Sequence, residues 1–386
     1  RTEEETKYLN EVFGKDKLSQ YTGNIAFAGF TAPKLLWLRK HEPENFARIK
    51  KIMLPKDYLC YRLSGAFATD VSDASGTLFF DVRHRRWSMD MCRELGITNL
   101  QLPKLYESFK AVGTLKGEIA EELGLAPDVK VIAGAGDNAA AAVGTGVVGE
   151  GGCNISLGTS GTLFVSSKSF REDKVNAMHS FCNADGYWHL MGCILSAASC
   201  NSWWVNGILQ SDDYKKEEAG LEEKMGKNDV FFLPYLMGER SPHNDTSARG
   251  AFIGMRADTT RGEMTLAMLE GVTFALRDCL EAAKRNGVEI GRTKLCGGGA
   301  KSPLWRKIVA NVMNMPVDLP QTEQGPGFGA AMLAMVGCGE YGSVQAAADA
   351  IVRVRETVLP DPGIAAAYEE KYRHFTKLYP ALKGLF

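Results

Sequence analysis

Three glycine-rich turns hold the residues of this 386-residue chain best suited to handling a phosphate: Gly134-Ala135-Gly136-Asp137-Asn138, Gly158-Thr159-Ser160-Gly161 and Gly297-Gly298-Gly299-Ala300. Glycine leaves the backbone bare, and N–H groups at a tight turn or a helix start bind phosphate oxygens. The first turn fits the loose G-x-G-x-x-[GA] dinucleotide pattern. Against that reading, Asp137 would face a pyrophosphate with a negative charge, and no acidic residue follows about 20 positions on to hold a ribose. Asp137 is otherwise either a general base for a substrate hydroxyl or an ordinary helix N-cap. Thr159 and Ser160 offer hydroxyl and backbone donors to a transferring phosphate, unless their turn is a plain hairpin. Gly297, Gly298 and Gly299 either admit an adenosine to the backbone or only let a helix pack close to a strand. No G-x-x-x-x-G-K-[ST] P-loop occurs.

The elements that must position these turns are legible from local pattern. Residues 1 to about 125 read as helix and loop. A strand over 129–133 runs into the first turn, and the alanine-rich 138–143 starts a helix. Strands over 154–157 and 162–165 flank the second turn as a hairpin, and a strand over 187–191 precedes a helix beginning at Ser196. Met264, Met268, Val272, Leu276, Leu280 and Ala283 mark one face of a long, buried helix that stops at Asn286-Gly287. A strand over 293–296, a helix over 304–313, a strand over 317–319 and a helix through 330–336 complete the pattern. This order predicts an α/β fold with a mixed sheet and helices packed on it.

Composition bounds the partners. With 45 Lys+Arg against 46 Asp+Glu, the formal net charge of −1 gives no field for attracting nucleic acid or an anionic membrane. No apolar run reaches about 18 residues, and the expectation is a cytoplasmic protein without membrane contact. The nine cysteines are scattered and read as buried free thiols, and neither cysteines nor histidines show zinc-ligand spacing.

Longer motifs add to this reading. Gly29-Phe30-Thr31-Ala32-Pro33-Lys34-Leu35-Leu36-Trp37-Leu38-Arg39-Lys40-His41 resembles the first signature of the FGGY carbohydrate kinases. Gly250-Ala251-Phe252-Ile253-Gly254-Met255, followed by Glu263-Met264 and Ala267-Met268-Leu269-Glu270, is similar to the second. Leu54-Pro55-Lys56-Asp57-Tyr58-Leu59, His179-Ser180-Phe181-Cys182 and the run from Leu233 to Asn244 look most like the branch that phosphorylates D-xylulose.

The resemblance implies the two-lobe, ribonuclease H-like ATPase fold of actin, hexokinase and Hsp70. Residues 1–149 would close the first, sugar-binding lobe, and 150–386 would form the second, nucleotide-binding lobe. It implies Asp137 as general base, Asn138 as sugar ligand and Phe30 as a wall of the sugar pocket. Gly158, Thr159 and Ser160, together with Gly297, Gly298, Gly299 and Ala300, would bind ATP with Mg²⁺; no metal ligand is assigned in this chain. The expected partners are ATP and a small sugar, and a homodimer is carried as an expectation. L-ribulose, D-gluconate, L-fuculose and glycerol stand as alternative acceptors, and a non-catalytic nucleotide binder or an Hsp70-type ATPase as alternative classes. The family's Asp-x-Gly-Thr hairpin and Met-His-Gly-Gln segment do not occur here. The first lobe is therefore expected to be incomplete, and the 386 residues alone to turn over little or no sugar.

Overall fold

A computed structural model describes every residue except Asn176, Glu323 and Gln324. By contact, the chain divides into two units. The first comprises Arg1–Glu150, Ser166–Leu190 and Gln324–Val352; the second comprises Gly151–Val165, Met191–Glu323 and Arg353–Phe386.

In the first unit, an apolar core of Leu9, Leu18, Leu36, Phe79, Met91 and Leu95 gathers the N-terminal helices. The first 125 residues are not only helix and loop. Ala68–Asp70 pairs in parallel with Lys104–Tyr106, and Ala111–Thr114 pairs antiparallel with Lys130–Ile132. These strands are three or four residues long, too short to show an alternating pattern. Lys130–Ile132 leads into the first glycine turn and then the helix Asp137–Gly144.

That helix packs against Gly325–Cys338 through small residues. A Cβ on Gly329 would lie 1.8 Å from the Ala140 carbonyl oxygen, and one on Gly144 would lie 2.0 Å from that of Gly325. The two backbones meet closely enough that only glycine fits at these positions.

In the second unit, the sheet order is Val354–Val358, Val317–Pro320, Thr293–Cys296, Cys153–Leu157, Gly161–Ser167 up to Val165, and Trp188–Ile194 from Met191. Thr293–Cys296 runs parallel to both of its neighbours, and the outermost strand is antiparallel. The sheet is mixed, as expected. The long helix is Arg261–Arg285, opened by a Thr260/Glu263 capping box and buried over most of its length. It closes before Gly287, whose φ of +78° is the left-handed stop anticipated at Asn286-Gly287. Glu270 on this helix pairs with Lys371 at 2.7 Å and accepts from Tyr368 Oη at 2.8 Å, which ties it to the helix Pro362–Leu382. Among the nine free cysteines, Cys92, Cys153, Cys182, Cys193, Cys200 and Cys279 are buried, whereas Cys338 is exposed.

The helix contact yields a first prediction. Gly329→Ala should destabilise the protein by about 2 kcal/mol or more, because the clash is with backbone. Gly327→Ala in the same helix, where an added Cβ meets nothing within 4 Å, should be neutral or stabilising by up to about 1 kcal/mol. Urea unfolding of both variants checks the contrast.

Candidate active site

The first turn is held from both sides by the chain around it. Before it, Ala133 N–H donates to Lys110 O at 2.9 Å and Gly134 N–H to Ser108 O at 3.0 Å. Within it, Gly136 N–H donates to Ser72 Oγ at 3.0 Å. Ser72 Oγ donates in turn to Asp70 Oδ2 at 2.5 Å, and Ser108 Oγ donates to the same oxygen at 2.7 Å. Asp70 ends its short strand and caps the helix Val71–Ala74, accepting Ser72 N–H at 2.8 Å.

Its other oxygen lies 3.1 Å from Lys56 Nζ, which also reaches Asp57 at 3.0 Å and Asp73 at 3.9 Å. Lys56 Nζ also donates to Ala133 O at 3.1 Å. Burial works against the Lys56 charge, but Asp70, Asp57 and Asp73 outweigh it and hold the ammonium above the ordinary lysine value. Asp73 is pushed up to about 7, first by burial and then by the charge of Asp70, with Lys56 opposing and Asp137 adding to the rise.

Asp137 itself is exposed, as the first residue of its helix; the N-cap is Gly136, which makes no side-chain cap bond. The Asp137 carboxylate accepts from Asn138 N–H at 2.8 Å and from Asn138 Nδ2 at 3.2 Å, which leaves further acceptor capacity facing solvent. Phe30 is half-buried in the first unit, just before the helix Thr31–His41, with its ring 5.6 Å from His179 and 6.0 Å from Phe181.

The other seven expected residues lie in the second unit. Gly158, Thr159 and Ser160 turn a hairpin in which Leu157 faces Gly161. Their carbonyls take the bonds: Ala198 N–H donates to Gly158 O at 2.8 Å and Ala197 N–H to Thr159 O at 2.9 Å. Ser199 Oγ adds a third bond, to Thr159 O at 2.7 Å. Among the described residues, no turn or loop bond uses the N–H of Thr159 or Ser160, and both residues are exposed. Behind this support, Leu195 N–H donates at 2.9 Å to the buried Glu239 carboxyl, which burial pushes up to about 8.

The glycine run lies against the same hairpin. Gly297 has a φ of +89°, and a Cβ there would fall 2.6 Å from Leu157 O. Beside Gly298 and Gly299 opens a cavity of about 370 Å³, walled by Ala198, Tyr214, Glu218 and Ser302. Its volume lies within the range of small-ligand sites. Ser302 caps the helix Pro303–Met313 and donates to Glu218 at 2.6 Å.

Lys56, Asp70, Ser72 and Asp73 were not singled out from sequence as site residues. Ser72 lies 64 residues before Gly136. The local signals were Lys56 within the family-like Leu54–Leu59 segment and Asp70-Val71-Ser72, a helix-capping arrangement. As for magnesium, no three His, Cys, Asp or Glu residues converge on a metal-sized space among the described residues. Asp57 and Asp70 lie at 3.0 and 3.1 Å from Lys56 Nζ, whereas Asp73 stands at 3.9 Å.

The α/β chain of two units has the two-domain, actin-like ATPase fold of the sugar kinases on which it superposes. The chain belongs to the FGGY family of carbohydrate kinases: the family's N-terminal domain matches residues 1–144 and its C-terminal domain residues 153–338. It is 41% identical over 366 residues to the xylulose kinase of Escherichia coli K12, covering 94% of this chain and 75% of that protein. Among solved structures, a xyloylose kinase from Brucella ovis superposes with a TM-score of 0.95 at 40% identity, over 100% of this chain and 79% of that one. A gluconate kinase from Lactobacillus acidophilus gives 0.93 at 25% identity, over 99% and 78%.

The Asp73 environment sets a pH dependence. Its carboxyl titrates near 7 in the fold and near 3.8 as the reference. The stability present below about pH 4 is therefore lost as pH rises toward 7. Asp73→Asn does not titrate, so its stability relative to wild type should grow between pH 4 and 7 and then level, by about 1–3 kcal/mol. Urea unfolding at pH 5 and pH 8 reads the difference; an equal effect at both values would contradict it.

Proposed function

We propose that the protein transfers the γ-phosphate of ATP to the terminal hydroxyl of D-xylulose, giving D-xylulose 5-phosphate and ADP. The observation that carries this reading is an exposed Asp137 carboxylate at a helix start whose backbone is pinned at Ala133, Gly134 and Gly136. A carboxylate so placed can accept the proton from O5 as O5 attacks phosphorus, and the attacking oxygen needs little other help than position. Asn138 donates to a sugar oxygen and Phe30 walls the sugar pocket. Gly158, Thr159 and Ser160 hold the transferring phosphates, aided by the unused N–H groups of Thr159 and Ser160. Gly297, Gly298, Gly299 and Ala300 border the adenosine, for which the adjoining cavity of about 370 Å³ is available.

Residues 1–149 then supply the sugar side and the base, and 150–386 the nucleotide side except for Ser166–Leu190 and Gln324–Val352, which belong to the first unit. Mg²⁺ accompanying the nucleotide would supply positive charge to offset the negative charge developing on the transferring phosphate. The choice of D-xylulose rests on likeness to proteins named xylulose kinases, with the gluconate kinase as the nearest rival among those described. Six buried free thiols accord with a reducing cytoplasm.

Coupled ADP release should give the highest kcat/KM with D-xylulose when the gene product is tested against L-ribulose, D-gluconate, L-fuculose and glycerol. Asp137→Asn should lower kcat by about 10²- to 10⁴-fold, while the Kd for D-xylulose from calorimetry changes little. A kcat within about threefold of wild type would remove Asp137 from the base role, and a faster rival sugar would reassign the substrate.

A further inference from the structure

The base cannot work from a loose turn, since a displacement of about 1 Å can cost a hundredfold in rate. Gly134, Ala135 and Gly136 have little stiffness of their own, and Gly134 sits at a φ of +74°. Holding Asp137 therefore falls to neighbouring side chains. Among the described residues, Ser72 is the one whose side chain hydrogen-bonds the turn immediately before Asp137, accepting Gly136 N–H at 3.0 Å.

Ser72 is itself fixed. Its hydroxyl hydrogen points to Asp70 Oδ2 at 2.5 Å, so the oxygen lone pairs are directed at Gly136. Asp70 is fully buried, bound by Ser108 Oγ on one oxygen and facing Lys56 on the other. Lys56 closes the loop by donating to Ala133 O, on the strand side of the turn. Four linked side chains from three chain segments thus support one short turn, with Ser72 and Lys56 holding its two ends. A structural ion pair alone would not need to contact that backbone twice.

We infer that Ser72, oriented by Asp70 and Lys56, is a positioning residue for Asp137, fixing the turn that presents the carboxylate to the sugar hydroxyl. This rests on Asp137 acting as the base. Ser72 touches the turn rather than the substrate, so its loss should act on kcat and leave sugar binding nearly intact.

The experiment compares Ser72→Ala, Ser72→Thr and Asp137→Asn in the gene product, measuring kcat and the calorimetric Kd for D-xylulose in parallel. Ser72→Ala should lower kcat about 10- to 100-fold with Kd changed less than about threefold, and Ser72→Thr, which keeps the hydroxyl, should recover most of the rate. A purely structural role would lower Tm without separating kcat from Kd. If Asp137→Asn is crippled while folded Ser72→Ala keeps kcat within about twofold, the positioning role is overturned and the base stands. If Asp137→Asn is itself silent, the base reading falls and the anchor with it. Should Ser72→Ala fail to fold, amide hydrogen exchange in the wild-type protein decides: protection at Gly136 supports the anchor, and exchange at the rate of a free loop overturns it.

Discussion

A turn that offers its N–H groups to a ligand cannot also use them to hold itself in place. The Gly158 turn answers that constraint most directly. At Gly158 and Thr159 the support comes through the carbonyls, which accept from residues 197–199 and leave the Thr159 and Ser160 N–H groups outward. At Gly297 it comes from contact, because the absent side chain lets the backbone lie against Leu157. At Gly134–Asp137, where the Asp137 side chain rather than the backbone is offered to the substrate, the turn does spend its N–H groups: Gly134 donates to Ser108 O and Gly136 to Ser72 Oγ, while Lys56 holds Ala133 O.

That support carries a cost in charge burial. Lys56 is surrounded by Asp57, Asp70 and Asp73, so one ammonium compensates three carboxyl groups. The excess negative charge is relieved by raising Asp73, the most exposed of the three carboxyls, to about 7. In the second unit, Glu239 plays a comparable part behind the Gly158 hairpin, buried and pushed up to about 8 while accepting two backbone N–H groups. Removing Lys56 would leave buried carboxylates uncompensated, an outcome worth about 3–5 kcal/mol in other proteins. The site is therefore held by groups that a core optimised for stability alone would replace with apolar residues.

Much of this was legible in the chain because the decisive signals are local. Strand, glycine turn and helix follow one another over residues 129–143, and the long helix announces itself through its apolar face and its Asn286-Gly287 stop. What escaped was non-local or unpatterned. The grip of Lys56 and Ser72 on the Asp137 turn depends on strand pairings between short segments that carry too few residues to alternate. The outermost strand, Val354–Val358, is exposed through Val354, Arg355, Glu356 and Thr357, so no buried face marked it. The packing of Gly325–Cys338 on Asp137–Gly144 joins residues far apart in sequence, and a run of small residues does not name its partner.

The proposed transfer is position-specific, from the γ-phosphate of ATP to the terminal hydroxyl of a ketopentose. Phosphorus and carbon NMR of the product formed by the gene product from D-[5-¹³C]xylulose and MgATP tests it most directly. The account predicts phosphorus coupling at the labelled C5, with one ADP formed per sugar phosphate. Phosphate on any other carbon, or ADP released without sugar phosphate, would contradict it.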